Sequence, residues 1–424
     1  MDWQLLGYKE YPFSVNPIAV NTIKLFTGHK KEIEVSQNVL QDKNIRLIIE
    51  GARGVGTTSF ANYLKFFSQQ KKQYFAPRDE ISVEKNWNLE TLLTAVISTI
   101  VREFDAFHAK QLKKNKIFLE TKALAYRLSE AYNNFGITAF AFGGNYGKTK
   151  AITQPTFIPS TTLGYHLEDL GKLAIKLGYK NGILVQLNNL DVNVVHSEEH
   201  LEYLFNAVRD YLQIDNISWL LVGDIGLRSF IARRVDRLDD IISDEIIIKP
   251  LNKSLYHELI NKRLNYYKIK TDADFPLESE IFDYLYDMTD GRLRYIFGLI
   301  YSLTNRLHIG KLIQKVSLDL AKATIIALAK ERMLRLNLSK SEISAIKALV
   351  ALNESNVADL AQAINKNRTF LSRIINKLLD DKVVTVKQEG NRRLYSPSLD
   401  AKIAFQQEGQ YFSFRAQRDC ISTQ

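Results

Sequence analysis

The segment Gly51-Ala52-Arg53-Gly54-Val55-Gly56-Thr57-Thr58-Ser59 follows an apolar run and precedes an amphipathic stretch from Phe60 to Phe67. A strand that enters a glycine-rich turn and then a helix has few ways to pack. The helix must return over the sheet, and its first turn presents unpaired N–H groups to whatever occupies the turn. Gly51, Gly56 and Thr58 fall at the spacing of G-x-x-x-x-G-K-[ST], whose glycines let the backbone wrap a phosphate. Position 57 is Thr where that pattern has Lys, so the point charge that meets the β- and γ-phosphates is missing. Arg53, inside the loop, is the candidate substitute. The residues expected to bind ATP or ADP are Gly51, Arg53, Gly54, Val55, Gly56, Thr57, Thr58 and Ser59, mainly through backbone amides, with the Thr58 hydroxyl toward Mg²⁺. A glycine-rich turn with no ligand is the alternative, and the agreement of strand, loop and helix speaks against it.

From Ile45 to about Pro250, short apolar runs alternate with amphipathic segments, the pattern of βα units around a mainly parallel sheet. The runs are Ile45-Arg46-Leu47-Ile48-Ile49, Gly182-Ile183-Leu184-Val185-Gln186-Leu187, Trp219-Leu220-Leu221-Val222 and Ile246-Ile247-Ile248. The second leads into Asn188-Asn189-Leu190-Asp191, where a phosphate-loop ATPase needs an acidic residue to orient Mg²⁺ and the attacking water. Amides occupy the usual acidic pair. Asp191 is the nearest carboxylate and, with Thr58, the expected Mg²⁺ partner; a buried strand closing in an Asx-rich turn is the competing reading. Phe135 to Lys148 alternates like a hairpin ahead of Pro155 and Pro159, and residues 135–160 are read as an insertion.

Beyond Leu251 the apolar spacing is helical to about Arg335, as in Leu255, Leu259, Ile260 and Leu264. The chain therefore divides into a nucleotide-binding domain (1–250), a helical lid (251–337), a third domain (338–405) and a tail (406–424). In the third, Lys340 to Leu352 reads as a helix with Ile343, Ile346, Leu349 and Val350 inward. Ser355-Asn356 caps a second, Val357 to Ile364, and Arg368 to Asp380 is a third with Leu371, Ile374, Ile375 and Leu378 inward. Val383 to Lys387 and Arg392 to Tyr395 then form a hairpin. This is the order of a winged helix-turn-helix. The outward face of the third helix carries Arg368, Thr369, Ser372, Arg373, Asn376 and Lys377, side chains suited to base edges and phosphates, and Arg392 and Arg393 extend from the wing.

Composition limits what surrounds these motifs. The chain is 46% hydrophobic and 25% charged, the balance of a folded globular protein. Cys420 is the one cysteine, so no disulfide framework or thiolate zinc site is built within the chain. No signal segment or apolar run of membrane length is evident, so a cytoplasmic protein without membrane contact is expected. A net charge of +10 and a pI near 9.3 fit a polyanionic partner.

In these residues the sequence resembles the AAA+/STAND ATPases, particularly the origin-recognition type, with a C-terminal domain similar to MarR-type winged helices. Asn16-Pro17-Ile18 and Phe26-Thr27-Gly28-His29-Lys30-Lys31-Glu32 look like the family's N-terminal box beside the adenine, His29 standing for the usual arginine. Leu220-Leu221-Val222-Gly223-Asp224 looks like the sensor-one strand, with Asp224 where the family has Asn or Thr. Arg233, Arg234 and Arg237 resemble the stretch that carries an arginine finger, and Arg237 is the choice for a finger acting on a second copy. Gly291-Arg292-Leu293-Arg294 resembles the sensor-two motif, so Arg294 is expected to reach the nucleotide. The fold implied is an α/β P-loop NTPase with a parallel sheet and helical lid, followed by an α+β winged helix-turn-helix domain.

His196-Ser197-Glu198-Glu199-His200 matches H-x-x-E-H, but Ser197 followed by two acids reads better as a helix N-cap than as part of a zinc site. The function expected is ATP binding and hydrolysis, with duplex DNA bound through the winged helix and the nucleotide state controlling assembly into a homo-oligomer or DNA engagement. Two alternatives stand beside it: a nucleotide-sensing transcription regulator with little hydrolysis, and an inactive scaffold whose winged helix docks a protein.

Overall fold

The computed structural model describes residues 3–85, 87–134, 158–192, 196–308, 315–389 and 392–405. The glycine-rich segment 135–148, read as an insertion, lies outside them. The chain forms two compact units, Ser14–Tyr266 with Asp290–Tyr295, and Met1–Phe13 with Tyr267–Thr289 and Ile296–Gln424.

The first unit is built on a five-stranded sheet with all strands parallel. These are β1 (Arg46–Gly51), β2 (Ile81–Ser82), β3 (Ile183–Asn188), β4 (Ile217–Gly223) and β5 (Asp244–Ile248), in the order β2-β3-β4-β1-β5. β1 is paired on both sides, Ile49 standing opposite Val222 of β4 and Ile246 of β5. Its side chains alternate between two cores, as the two-residue period of a strand requires. Leu47 and Ile49 join Leu220, Val222, Ile246 and Ile248 under Phe60, Ala61 and Leu64 of the helix Thr57–Gln70. Ile48 joins Trp219, Leu221, Val185 and the helices Leu89–Leu112, Ser160–Lys176 and Glu198–Val208 on the other face. Each large apolar side chain taken wholly out of water this way contributes roughly 1.5–3 kcal/mol. β2 is two residues long and was not visible in the apolar pattern.

The first thirteen residues, counted with the nucleotide domain on sequence grounds, group instead with the second unit. An aromatic cluster explains this. Phe13 meets Phe275 edge-on at 5.1 Å, Trp3 stacks on Phe275 at 6.0 Å, and the Lys9 N–H donates to the Tyr267 carbonyl at 2.8 Å. Helices Ser279–Met288, Leu293–Arg306 and Leu318–Leu334 follow. The helices Lys340–Leu352, Val357–Ala363 and Arg368–Asp380 then lead to an antiparallel hairpin, β6 (Val384–Glu389) and β7 (Arg392–Pro397). Ser355 adds a third edge by exchanging backbone hydrogen bonds with Tyr395 at 3.0 and 2.8 Å. Side chains set the helix starts: Ser339 and Glu342 form a capping box, and Asn356 and Asn367 accept from the N–H groups of Asp359 and Thr369. A last helix, Leu399–Phe405, packs on Leu318–Leu334 and is tied to it by Arg332 and Asp400 at 2.8 Å.

The sheet admits no side chain at Gly182, just before β3. Its φ is +86°, and a Cβ there would lie 2.0 Å from the Asn216 carbonyl oxygen. Gly178 has a similar φ of +94° with open space around it. Gly178→Ala is expected to cost only the backbone term of about 1–2 kcal/mol, and Gly182→Ala distinctly more, about 3 kcal/mol or above. Urea unfolding of the two variants compares them; equal midpoints would refute the packing argument.

Candidate functional site

β1 ends at Gly51, and residues 52–56 turn over its end into the helix Thr57–Gln70. Gly54 and Gly56 have φ of +92° and +113°, the left-handed region that a residue with Cβ adopts only under strain. The turn is closed by the Val55 N–H donating to the Ala52 carbonyl at 3.1 Å. No side chain caps the helix at Gly56, so the first-turn N–H groups at Thr57, Thr58 and Ser59 keep their capacity for an anion. A Cβ on Gly56 would meet nothing within 4 Å, which leaves that side of the loop open.

The N-terminal box lies against the same helix. The Ile18 N–H donates to Ser59 Oγ at 3.1 Å, and Asn62 Nδ2 donates to the Ile18 carbonyl at 3.0 Å. Phe26 stacks on Tyr63 at 4.3 Å, and His29 meets Phe60 edge-on at 6.1 Å. His29 is itself left-handed, with φ 56°, and burial holds its pKa below the usual imidazole value. Ser59 thus anchors the box, a contact the motif alone did not reveal.

A cluster of charges surrounds the loop. The Asp224 carboxylate accepts from the backbone N–H of Ile225 at 2.9 Å. Burial, reinforced by the charge of Asp224, raises the Asp191 pKa to about 6 against the pull of Arg53 and Arg294. Burial also raises the Asp224 pKa, against that backbone bond and the charges of Arg53 and Arg292. Arg294 is exposed, and its backbone N–H donates to the Gly54 carbonyl at 3.1 Å, so the sensor-two segment grips the loop by its main chain. Arg292, which the sequence reading quoted without assigning, is held by Asp290 at 3.9 Å and lies over the Tyr295 ring.

Thr58 Oγ1 faces Asn188, whose Nδ2 donates to it at 3.5 Å, while Asn188 Oδ1 accepts from Gln186 Nε2 at 2.9 Å. Asp191 lies three residues past the end of β3, with the charge of Asp224 beside it. At the end of β3 the residue beside Thr58 is a neutral amide where the pattern has a carboxylate.

Glu50 was missed. It is buried at the end of β1, on the face opposite Thr57–Gln70, and accepts from the N–H groups of Gly226 and Arg228 at 3.2 and 3.0 Å. A carboxylate inside an apolar strand was the available signal. Arg228 pairs with Asp239 and so holds the short helix Asp236–Asp239 that carries Arg237. Arg237 is exposed, whereas Arg234 is engaged by Glu198 at 3.0 Å. Ser197 caps Glu198–Val208, as expected, and His196 and His200 each bond through Nε2 to a carbonyl, of Asn189 and Trp87.

In the second unit, Arg368, Thr369, Arg373 and Asn376 are exposed on the third helix, Ser372 is half-buried, and Arg392 and Arg393 are exposed on β7. Lys377 differs from expectation: its Nζ bonds Glu342 at 2.6 Å, across to the first helix of the domain. Its charge is neutralised there, because the residue sits on the flank of the helix and not at its outward centre. Phe370, exposed on the same helix, was not singled out from sequence.

The sheet order and loop geometry give the first unit a P-loop NTPase fold, and the second unit carries a winged helix. Among the described residues no helix is long and apolar enough to cross a membrane. No curated protein matches the chain. Among solved structures it is similar to the ORC2 protein of Aeropyrum pernix in ADPNP-ADP complexes, at 14% identity over 97% of this chain and 99% of that one, with a TM-score of 0.48. It is likewise similar to the Aeropyrum pernix ORC1 protein in complex with DNA, at 12% identity over 95% of each chain and a TM-score of 0.47. A Walker-type ATPase of Pyrococcus abyssi compares at 15% identity over 93% of this chain and 99% of that one, with a TM-score of 0.48. Residues 333–398, which contain the winged helix, match the family described as sugar-specific transcriptional regulator TrmB.

Proposed function

We propose that this protein binds a nucleoside di- or triphosphate in the loop at Gly51–Ser59 and duplex DNA through its winged helix, nucleotide occupancy setting DNA engagement or assembly. The observation that carries the reading is the uncapped helix start behind two left-handed glycines, an anion cradle at the end of a central parallel strand. Arg53, Arg294, Asp191 and Asp224 line it. Thr57 in place of the loop lysine and Asn188 in place of the strand-end carboxylate favour a protein that senses nucleotide with little turnover. Arg237 is exposed, as a residue serving a second copy must be. The similarity of residues 333–398 to transcriptional regulators supports a DNA-directed role for the winged helix.

The nucleotide half is tested through Asp191, which sits beside the cradle with its pKa raised to about 6. Above that pH the carboxylate is charged and repels a polyphosphate; as pH falls through it, the group is neutralised and binding tightens. Between pH 7.5 and 5.5, ADP affinity of the wild type relative to Asp191→Asn should rise roughly threefold to tenfold, the size of one screened charge pair. Taking the ratio removes the titration of the phosphate itself. Parallel profiles for the two proteins would remove Asp191 from the site.

The DNA half is tested by salt dependence. Replacing Arg392 and Arg393 with Ala should weaken binding to most duplexes and reduce the slope of log affinity against log salt by about 2. Arg373→Ala or Asn376→Ala should instead relax sequence preference by about 1–3 kcal/mol at the base it reads. Lys377→Ala, whose charge is already taken by Glu342, should leave the slope unchanged. Fluorescence anisotropy with the full chain measures all three, and a double-arginine variant with wild-type affinity and slope would turn the winged helix into a protein-docking module.

A further inference from the structure

We propose that the loop takes its nucleoside phosphate free of divalent metal, the phosphate charge being met by Arg53, Arg292 and Arg294. This rests on the nucleotide reading above and names the form of the ligand. In the P-loop arrangement the hydroxyl that follows the lysine binds Mg²⁺, and a strand-end carboxylate holds the ion from the other side. Here the hydroxyl is Thr58, and the group facing it is the neutral amide of Asn188, which turns an N–H donor toward Thr58 Oγ1 at 3.5 Å. That amide is fixed. Asn188 and Gln186 are buried, at 4% and 2% exposure, and Gln186 Nε2 bonds Asn188 Oδ1 at 2.9 Å. A cation at Thr58 would meet a neutral amide where the pattern has a carboxylate, and so no counter-charge behind it.

The nearby carboxylates are set against arginines, Asp191 against Arg53 and Arg294 and Asp224 against Arg53 and Arg292. Positive charge is supplied from elsewhere. Arg53 lies in the loop, Arg294 is joined to the loop through the Gly54 carbonyl at 3.1 Å, and Arg292 lies two residues before it. Guanidinium groups present paired donors that match phosphate oxygens without an intervening ion. Thr57, in the lysine position, adds no charge, so the arginines alone balance the ligand. The site is then built for a metal-free polyphosphate, which fits the little turnover and the nucleotide binding proposed above.

The test is calorimetry with ADP and with ATP on the full chain, once in excess MgCl₂ and once in EDTA. Dissociation constants in EDTA equal to or tighter than those in MgCl₂ are expected, and Arg53→Ala should weaken binding about tenfold in both buffers. Asn188→Asp, which sets a carboxylate beside Thr58, should make binding about tenfold tighter in MgCl₂ than in EDTA. If the wild type binds at least about tenfold more weakly in EDTA, the metal-free inference fails while the nucleotide reading stands. Equal affinity in both buffers with no loss in Arg53→Ala overturns the arginine assignment. Absence of heat with either nucleotide in either buffer overturns the nucleotide reading itself, and the inference with it.

Discussion

The double burial of β1 is the constraint on which the first unit depends. A strand paired on both edges and covered on both faces has no freedom of register, because a one-residue slip would send Leu47 and Ile49 to the opposite core. That rigidity fixes where the chain leaves the sheet. The loop therefore begins from a defined point, and Phe60, Ala61 and Leu64 pull the following helix back over the sheet so that its uncapped start faces the turn. Two positive-φ glycines complete the connection in the few residues available. The cradle is thus a consequence of core packing, and its backbone donors need no conserved side chain to be present.

This explains why so much survives the loss of the usual charged residues. Backbone N–H groups and helix polarity supply anion affinity whatever occupies position 57. Side chains supply turnover, and those are the ones replaced. Thr57 and Asn188 lie where the P-loop pattern has a lysine and a carboxylate. The lysine and the strand-end carboxylate of that pattern are absent, while the carboxylate at Asp224 is met by the Ile225 N–H and by the charges of Arg53 and Arg292. Glu50 does comparable work on the far face, tying Gly226 and Arg228 to the strand end and so ordering the segment that leads to Arg237.

What sequence showed and what it hid divides along physical lines. Strands β1, β3, β4 and β5 were legible because a buried parallel strand is a short apolar run, and the three helices of the winged domain because each carries a periodic apolar face and a capping residue. β2 was not, since two residues carry no period. The allegiance of residues 1–13 was hidden as well. It is decided by aromatic contacts of Phe13 and Trp3 with Phe275, more than 250 residues away in sequence, and no local pattern encodes that. Lys377 shows the same limit on a smaller scale: helical spacing puts it near the outward face, but only the position of Glu342 on another helix determines that its charge is spent internally.

One helix brings the two themes together. Leu293–Arg306 has its first turn among the residues of the nucleotide unit and the rest among those of the unit that ends in the winged helix. Its start is where Arg294 meets the Gly54 carbonyl. A phosphate entering the loop competes for the same few donors and shifts the balance of Arg53, Arg292 and Arg294 against Asp191 and Asp224. Any change in that balance acts on the main chain at Arg294, which is hydrogen-bonded to the loop at Gly54. On the proposed reading the empty and the filled loop differ in the charge around Arg294, a difference that needs neither metal nor hydrolysis.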